Sequence, residues 1–226
     1  MINRMYISII LLSFLIFFNS CDDEWIFDIP GCMDQNALNY DPNATSDNGS
    51  CNYIEIFSID ASEYFLWVYF SFSLGEVVNI SDPESSMDWD IAFSRNNIKT
   101  NGGESSDEGK VCAIVDDTQI WTNDSFEYTE QISDGVCQTD ELIEGNTDTY
   151  EGCYGSSATN HEFIDCVKNP ALDHWGLFDN TFNFNISNYQ FFVKGVDGDY
   201  VKIWLMGYKD VNGETGHISM AYKKMD

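Results

Sequence analysis

Cysteines are the residues of this sequence whose chemistry is most restricted by their spacing. Cys21 directly follows an apolar stretch and stands apart from the other six. Those six are an even number, and none forms the Cys-x-x-Cys pair that is typical of a zinc site. In an exported chain they are expected to form disulfides. Six cysteines allow fifteen pairings, and we favour the three that each close one short segment: Cys32–Cys51, Cys112–Cys137 and Cys153–Cys166.

The segment before Cys21 is typical of an export signal. Arg4 precedes a nearly unbroken apolar run at residues 7–18, which is too short to span a bilayer. Ser20, Cys21 and the acids that follow resemble the bacterial lipoprotein signal. The resemblance implies that residues 1–20 are removed, that Cys21 carries the lipid, and that this lipid alone attaches the protein to a membrane. The alternative is an ordinary signal peptide in which Cys21 is incidental.

Residues 31–51 form a separate turn-rich segment between two cysteines, GCMDQNALNYDPNATSDNGSC. The segment resembles a short cysteine-bounded module that recurs in exported bacterial surface proteins. The oxygens of Asp41, Asn43 and Asp47 are of the kind that Ca²⁺ prefers, which makes these residues candidate calcium ligands. The alternative is that they form Asx turns and that the disulfide alone holds the loop.

Motifs of enzymes are missing from the sequence. It has no Gly-x-Ser-x-Gly elbow, no His-Glu-x-x-His zinc motif and no phosphate-binding glycine loop. Carboxylates are too numerous for any two of them to be singled out as a general acid and base. We therefore expect a protein that is not an enzyme.

The elements that carry these residues have the hydrophobic pattern of β-strands. Strand-like alternation occurs at residues 53–59, 67–72, 201–205 and 217–222. Residues 193–201 are typical of two strands joined by a tight Asp-Gly turn. Helical periodicity is scarce. We expect an all-β fold, in which residues 21–30 are a tether, residues 31–51 a small loop module and residues 52–226 one antiparallel β domain.

Acidic residues dominate the charge of the chain. There are 38 Asp and Glu against 10 Lys and Arg, a formal net charge of −28, and 43 % of the residues are hydrophobic. The hydrophobic share is that of a folded domain, and the negative charge disfavours nucleic acid and anionic lipid as partners. The acids are densest at 104–151, where Lys110 is the only basic residue. We expect that stretch to form solvated loops and edge strands.

Several blocks of the sequence together resemble a known family. They are WVYFSF at 67–72, WDIAF at 89–93, NGGES at 101–105 and FFVKGVDG at 191–198. Their order and spacing are similar to those of the HmuY-type haem-binding lipoproteins of Bacteroidota, over about residues 59–110 and 189–222. The resemblance implies an all-β fold with a hand-like cleft, anchoring to the outer membrane, and haem capture for iron supply.

The resemblance also implies two axial histidines on the haem iron. The second family histidine follows a tryptophan by five residues. Here the comparable residue is Trp175, and Asn180 stands in the ligand position. His174 and His161 are therefore the candidate haem ligands, whereas His217 is interpreted as a surface or cross-strand residue.

Other residues are also candidates for contact with haem. The thioethers of Met87 and Met206 are alternative iron ligands. Lys168, Lys194 and Arg95 are candidate partners for the haem propionates.

Two functions from different classes follow. The first is non-catalytic binding of haem, or a similar tetrapyrrole, by a surface lipoprotein. Its partners would be haem-carrying proteins and an outer-membrane haem transporter. The second is an adhesion or structural surface module on the same scaffold that has lost haem binding.

Overall fold

The computed structural model of the protein describes residues 28–148, 151–157 and 160–225. The chain divides into two compact units, residues 1–52 and 53–226. The predicted signal peptide, Cys21 and most of the predicted tether lie outside the described residues. Within the described ranges, no helix is long and apolar enough to cross a membrane.

The described part of the first unit, residues 28–52, is a turn-rich loop. Strands β1 (Pro30–Gly31) and β2 (Ser46–Asp47) pair in parallel. The disulfide Cys32–Cys51 links two residues 19 positions apart. By restricting the unfolded chain, closure of a loop of this length stabilises the fold by about 3 kcal/mol.

Two of the three candidate calcium ligands in this loop form Asx turns. Oδ1 of Asp41 accepts a hydrogen bond from the backbone N–H of Asn43 at 2.8 Å. Oδ1 of Asp47 accepts one from the backbone N–H of Gly49 at 2.9 Å. These bonds account for the local turns, and calcium binding by Asp41, Asn43 and Asp47 stays a prediction.

The second unit is built mostly of antiparallel strands. A five-stranded sheet has the order β3-β17-β16-β15-β8, and a four-stranded sheet has the order β5-β4-β6-β7. Pairs β9–β12, β10–β11 and β13–β14 are separate. The strands are β3 (Phe57–Asp60), β4 (Val68–Ser71), β5 (Glu76–Val78), β6 (Ile91–Ser94), β7 (Asn97–Thr100), β8 (Cys112–Ile120), β9 (Glu141–Ile143), β10 (Cys153–Ser157), β11 (Asn160–Ile164), β12 (Cys166–Lys168), β13 (Gly176–Phe178), β14 (Phe184–Ile186), β15 (Tyr189–Lys194), β16 (Tyr200–Lys209) and β17 (Thr215–Lys224).

Alternation along the long strands produces two apolar clusters. Ile203 and Leu205 of β16 point to a large core shared with the four-stranded sheet, which contributes Phe93 and Ile98. Trp204, between them, belongs to a second cluster on the opposite face. The strand at 201–205 therefore buries side chains on both of its faces. The predicted all-β fold is confirmed.

A short helix covers the second cluster, inside the stretch that we expected to be loops and edge strands. Helix α1 (Asn123–Tyr128) begins with a capping box between Thr122 and Ser125. Its Phe126 packs against Trp121 and Trp204 at centroid distances of 5.3 and 5.7 Å. The prediction for 104–151 holds for β8, an edge strand, and is wrong for the helix, which is too short to show helical periodicity.

Two further disulfides fix the second unit. Cys112, at the start of β8, bonds to Cys137, and Cys153 of β10 bonds to Cys166 of β12. Together with Cys32–Cys51, this is the pairing that the sequence favoured.

Candidate functional site

The first of two small hairpins consists of β10 and β11. The strands pair from Cys153, opposite Ile164, to Ser157, opposite Asn160. The disulfide Cys153–Cys166 holds the base of this hairpin. Tyr154 and Phe163 lie opposite one another, and their rings meet edge to face at 5.5 Å. The hairpin therefore carries an aromatic pair close to its covalently fixed end.

The second hairpin consists of β13 and β14, joined by a turn that one carboxylate organises. Oδ1 of Asp179 accepts hydrogen bonds from the backbone N–H groups of Thr181 and Asn183 and from the Thr181 hydroxyl, at 2.7 to 2.9 Å. These bonds hold the pKa of Asp179 well below its usual range. The turn presents Phe182 at 83 % exposure. Exposed apolar groups gathered on one small element are typical of a binding surface.

Aromatic side chains and one arginine connect the two hairpins. The ring of Tyr154, in the first hairpin, lies 6.3 Å from the ring of Tyr64, and the Arg95 guanidinium lies over the Tyr64 ring at 4.6 Å. The guanidinium also lies 5.8 Å from the Tyr208 ring. Tyr208 in turn contacts the second hairpin. We call this set the bridging cluster: Tyr64, Arg95, Tyr154, Phe178, Phe184 and Tyr208.

Arg95 is held in place by the protein itself. Its Nη1 donates to the carbonyls of Ser62 and Thr215 at 3.0 and 2.8 Å, and its Nη2 donates to the Thr215 hydroxyl at 2.7 Å. A Cβ at Gly216 would lie 2.7 Å from Nη1, so the close approach of the backbone requires glycine there. The cluster therefore contains a positive charge that is fixed before any ligand arrives.

Tyr208 closes the buried side of the bridging cluster. Its ring is 4 % exposed and lies 4.7 Å from Phe184 and 5.9 Å from Trp175. Burial raises the pKa of Tyr208, against the opposing effect of Arg95. Tyr208 is therefore a neutral support for the cluster.

The two candidate histidines lie on or beside the hairpins. His161 is in β11, opposite Ser156 and one pair from the end of the first hairpin. His174 is exposed in a 3-10 turn (Leu172–Trp175) that leads directly into β13. Asn180 lies in the turn of the second hairpin, which Asp179 organises. Ligation of iron by His161 or His174 stays a prediction.

The remaining candidates for the haem site are spread over the molecule. Met206 packs against the second cluster, on the far side of the five-stranded sheet, and Met87 lines a surface depression of about 510 Å³ beside β5. Lys168 is buried and paired with Asp173 at 2.9 Å. Lys194 lies 5.9 Å from the Tyr200 ring. Of the cations suggested by the sequence, Arg95 is the one in the bridging cluster.

His217 is a cross-strand residue, as we interpreted it from the sequence. It lies opposite Asp60 across β17 and β3, with Nδ1 3.7 Å from Oδ1 of Asp60. Its imidazole also lies near the carboxylates of Asp210 and Glu214, with one ligand atom of each within 4.8 Å of the others.

Of the bridging cluster, the sequence singled out Arg95 alone, and Tyr64 is the missed tyrosine nearest to its guanidinium. It stands between two segments of strand-like alternation, 53–59 and 67–72, and its partners Arg95 and Tyr154 are 31 and 90 positions away. The signal available was indirect: Arg95 lies two residues after the WDIAF block and is one of few cations in a strongly acidic chain.

Comparisons with known proteins agree with this fold. A family model described as HmuY protein matches residues 63–222. The structure is similar to an apo HmuY analogue of Tannerella forsythia, with 21 % identity, a TM-score of 0.57, and 76 % of this chain and 96 % of that chain covered. It is also similar to a candidate HmuY-like haem-binding protein of Bacteroides vulgatus, with 23 % identity, a TM-score of 0.56, and 74 % and 89 % covered. No curated protein matches the chain.

Proposed function

This chain belongs to the HmuY family, and we propose that it binds haem without catalysis, in the supply of iron. The observation that carries the proposal is the bridging cluster, in which two hairpins meet at aromatic rings around a fixed guanidinium. The relative from Bacteroides vulgatus, which shares the fold, is described as a candidate haem-binding protein.

The side chains of the cluster fit the chemistry of haem. A porphyrin needs apolar walls, a few polar groups for its propionates and a ligand for its iron. Tyr64 and Phe178 are partly exposed rings, and Phe182 extends the same apolar surface on the second hairpin. Arg95 brings a positive charge to the cluster for a propionate, while its Nη1 and Nη2 donate to Ser62 and Thr215. His161 and His174 are the proposed ligands of the haem iron, and this iron is the cargo of the protein.

A haemin titration followed in the Soret region tests the proposal. We expect a saturable change at micromolar haemin, weakened in Phe182→Ser because the second hairpin loses apolar surface. Val136→Ser is the matched control, since Val136 is equally exposed and lies outside the cluster. An unchanged spectrum in both the ferric and the ferrous state would overturn haem binding. In that case, binding of proteins or glycans without haem would support the adhesion function.

The proposed setting is the cell surface. We propose that residues 1–20 are removed, that lipidated Cys21 anchors the protein to the outer membrane, and that a haem transporter or a haem-carrying protein exchanges ligand with it. Cys21→Ser is expected to move the protein from the membrane fraction to the soluble fraction, whereas Ser20→Ala keeps a small residue before the cysteine and leaves it in the membrane. Retention of Cys21→Ser in the membrane would contradict a lipid anchor.

A further inference from the structure

Tyr64 occupies the centre of the bridging cluster and remains open to solvent. The Tyr154 ring of the first hairpin lies 6.3 Å from the Tyr64 ring, and the Arg95 guanidinium lies over the Tyr64 ring at 4.6 Å. The residue is 38 % exposed. It is therefore a partly exposed, hydroxyl-bearing ring beside a charge that the protein holds in place.

We propose that the Tyr64 phenolate would hold the iron of ferric haem, with Arg95, whose guanidinium lies over the Tyr64 ring, as the positioning residue. This inference rests on the proposed haem function. On binding, the phenolic proton would pass to water and the iron would stay ferric, so no oxidant or reductant is consumed. Tyrosinate is an established type of haem ligand, and a fixed positive charge beside an anion stabilises it.

Tyr208 is the other tyrosine beside Arg95, and it cannot serve as the ligand. It is almost completely buried, with Phe184 and Trp175 packed on its ring. Tyr64 and Tyr208 thus share one guanidinium but differ in access, and only Tyr64 can contact a bound molecule. The position expected for the family histidine holds Asn180, whose amide is a poor ligand for ferric iron.

The backbone around Tyr64 presents an apolar surface next to the phenol. Phe65 has a positive φ of 64°, which is rare for a residue with a side chain, and its ring and the Leu66 side chain are both exposed. Arg95 also has a positive φ, of 55°. Rare backbone conformations therefore occur on both sides of the contact between Tyr64 and Arg95, and two exposed apolar side chains directly follow Tyr64 in the chain.

Absorption spectra of the ferric haemin complex test the assignment. The whole protein is expected to show the long-wavelength charge-transfer band of phenolate-ligated ferric haem. Tyr64→Phe is expected to lose that band and to bind ferric haemin at least ~10-fold more weakly. Tyr128→Phe is the control, because Tyr128 is exposed at the end of α1, outside the cluster. Far-ultraviolet circular dichroism of each variant reports whether it folds.

A second variant separates ligation from packing. Tyr64→His keeps a ring and a metal-binding atom, so it is expected to restore affinity with the spectrum of a histidine ligand. A Soret change in the wild type that Tyr64→Phe leaves untouched would overturn the tyrosinate ligand while the haem function stands. If wild-type protein gives no Soret change at all, the haem function itself fails.

Discussion

Asp140 is a buried acid in the most acidic part of the chain. Its Oδ2 accepts a hydrogen bond from the backbone N–H of Thr100 at 2.7 Å, and its Oδ1 accepts from the Thr100 hydroxyl at 2.6 Å and from the Asn169 amide at 3.0 Å. Burial raises the pKa of Asp140, although these hydrogen bonds act in the opposite direction. One carboxylate thereby joins β7, the approach to β9 and the segment after β12.

Asp140→Asn is expected to destabilise the protein by about 1–3 kcal/mol, because an amide places an N–H group against donors that the carboxylate accepts. Urea unfolding at neutral pH measures the change. Glu141→Gln, one residue further along and exposed, is the control and should leave the midpoint unchanged. Equal midpoints for Asp140→Asn and the wild type would show that the network contributes nothing.

The pH dependence of the same variant has a definite sign. The folded-state pKa of Asp140 lies above the usual 3.8. Its contribution to stability is therefore fully present below pH 3.8 and declines as the pH rises through the raised value. We expect the stability difference between wild type and Asp140→Asn to be larger at acidic than at neutral pH. A difference that grows with rising pH would contradict the raised pKa.

The second hairpin depends on the ionised Asp179. The folded-state pKa of Asp179 lies below the usual 3.8. The carboxylate therefore stabilises the hairpin fully above pH 3.8, and this stabilisation is lost as the pH falls through the folded-state pKa. Asp179→Ala is therefore expected to increase amide hydrogen exchange at Thr181 and Asn183 at neutral pH. Asp148→Ala is the control, because Asp148 lies in another exposed turn. Unchanged protection would show that the turn forms without the carboxylate.

The first hairpin depends instead on a covalent bond. Replacing Cys153 and Cys166 together by alanine reopens a loop of 13 residues, which is expected to cost about 3 kcal/mol. Haemin affinity should fall as well, because Tyr154 next to this bond contacts Tyr64. The matched variant lacks Cys32 and Cys51, whose disulfide lies in the first unit. If both double variants bind haemin equally well, the first hairpin takes no part in binding.

Long strands could be predicted from the sequence, and short ones could not. Residues 201–205 and 217–222 alternate because β16 and β17 lie in the middle of a sheet and contact apolar clusters. Strands β9, β12, β13 and β14 have three residues each and pair only two by two, so they are too short to show a period. The bridging cluster joins residues as distant as 64 and 208, and no spacing within one sequence reports such contacts. The disulfides were more predictable because each closes a local segment.

Net charge acts on the molecule as a whole. A formal charge of −28 surrounds a bridging cluster whose one cation, Arg95, is already engaged with Ser62 and Thr215. Haem carries two propionates, so the protein as a whole repels its proposed ligand while the cluster attracts it. At low ionic strength this net charge acts on the ligand during its approach, whereas at moderate ionic strength salt screens interactions between exposed charges beyond about 10 Å.

The rate of haemin association should therefore rise with ionic strength. Screening weakens the long-range repulsion between two anions, whereas the contacts within the cluster act at distances too short to be screened to the same degree. Stopped-flow absorption in the Soret region, with monomeric haemin between low and high salt, measures the rate. The dissociation rate is expected to change little and serves as the internal comparison. A rate that falls with added salt would mean that the local field of Arg95 outweighs the net charge and steers the ligand inward.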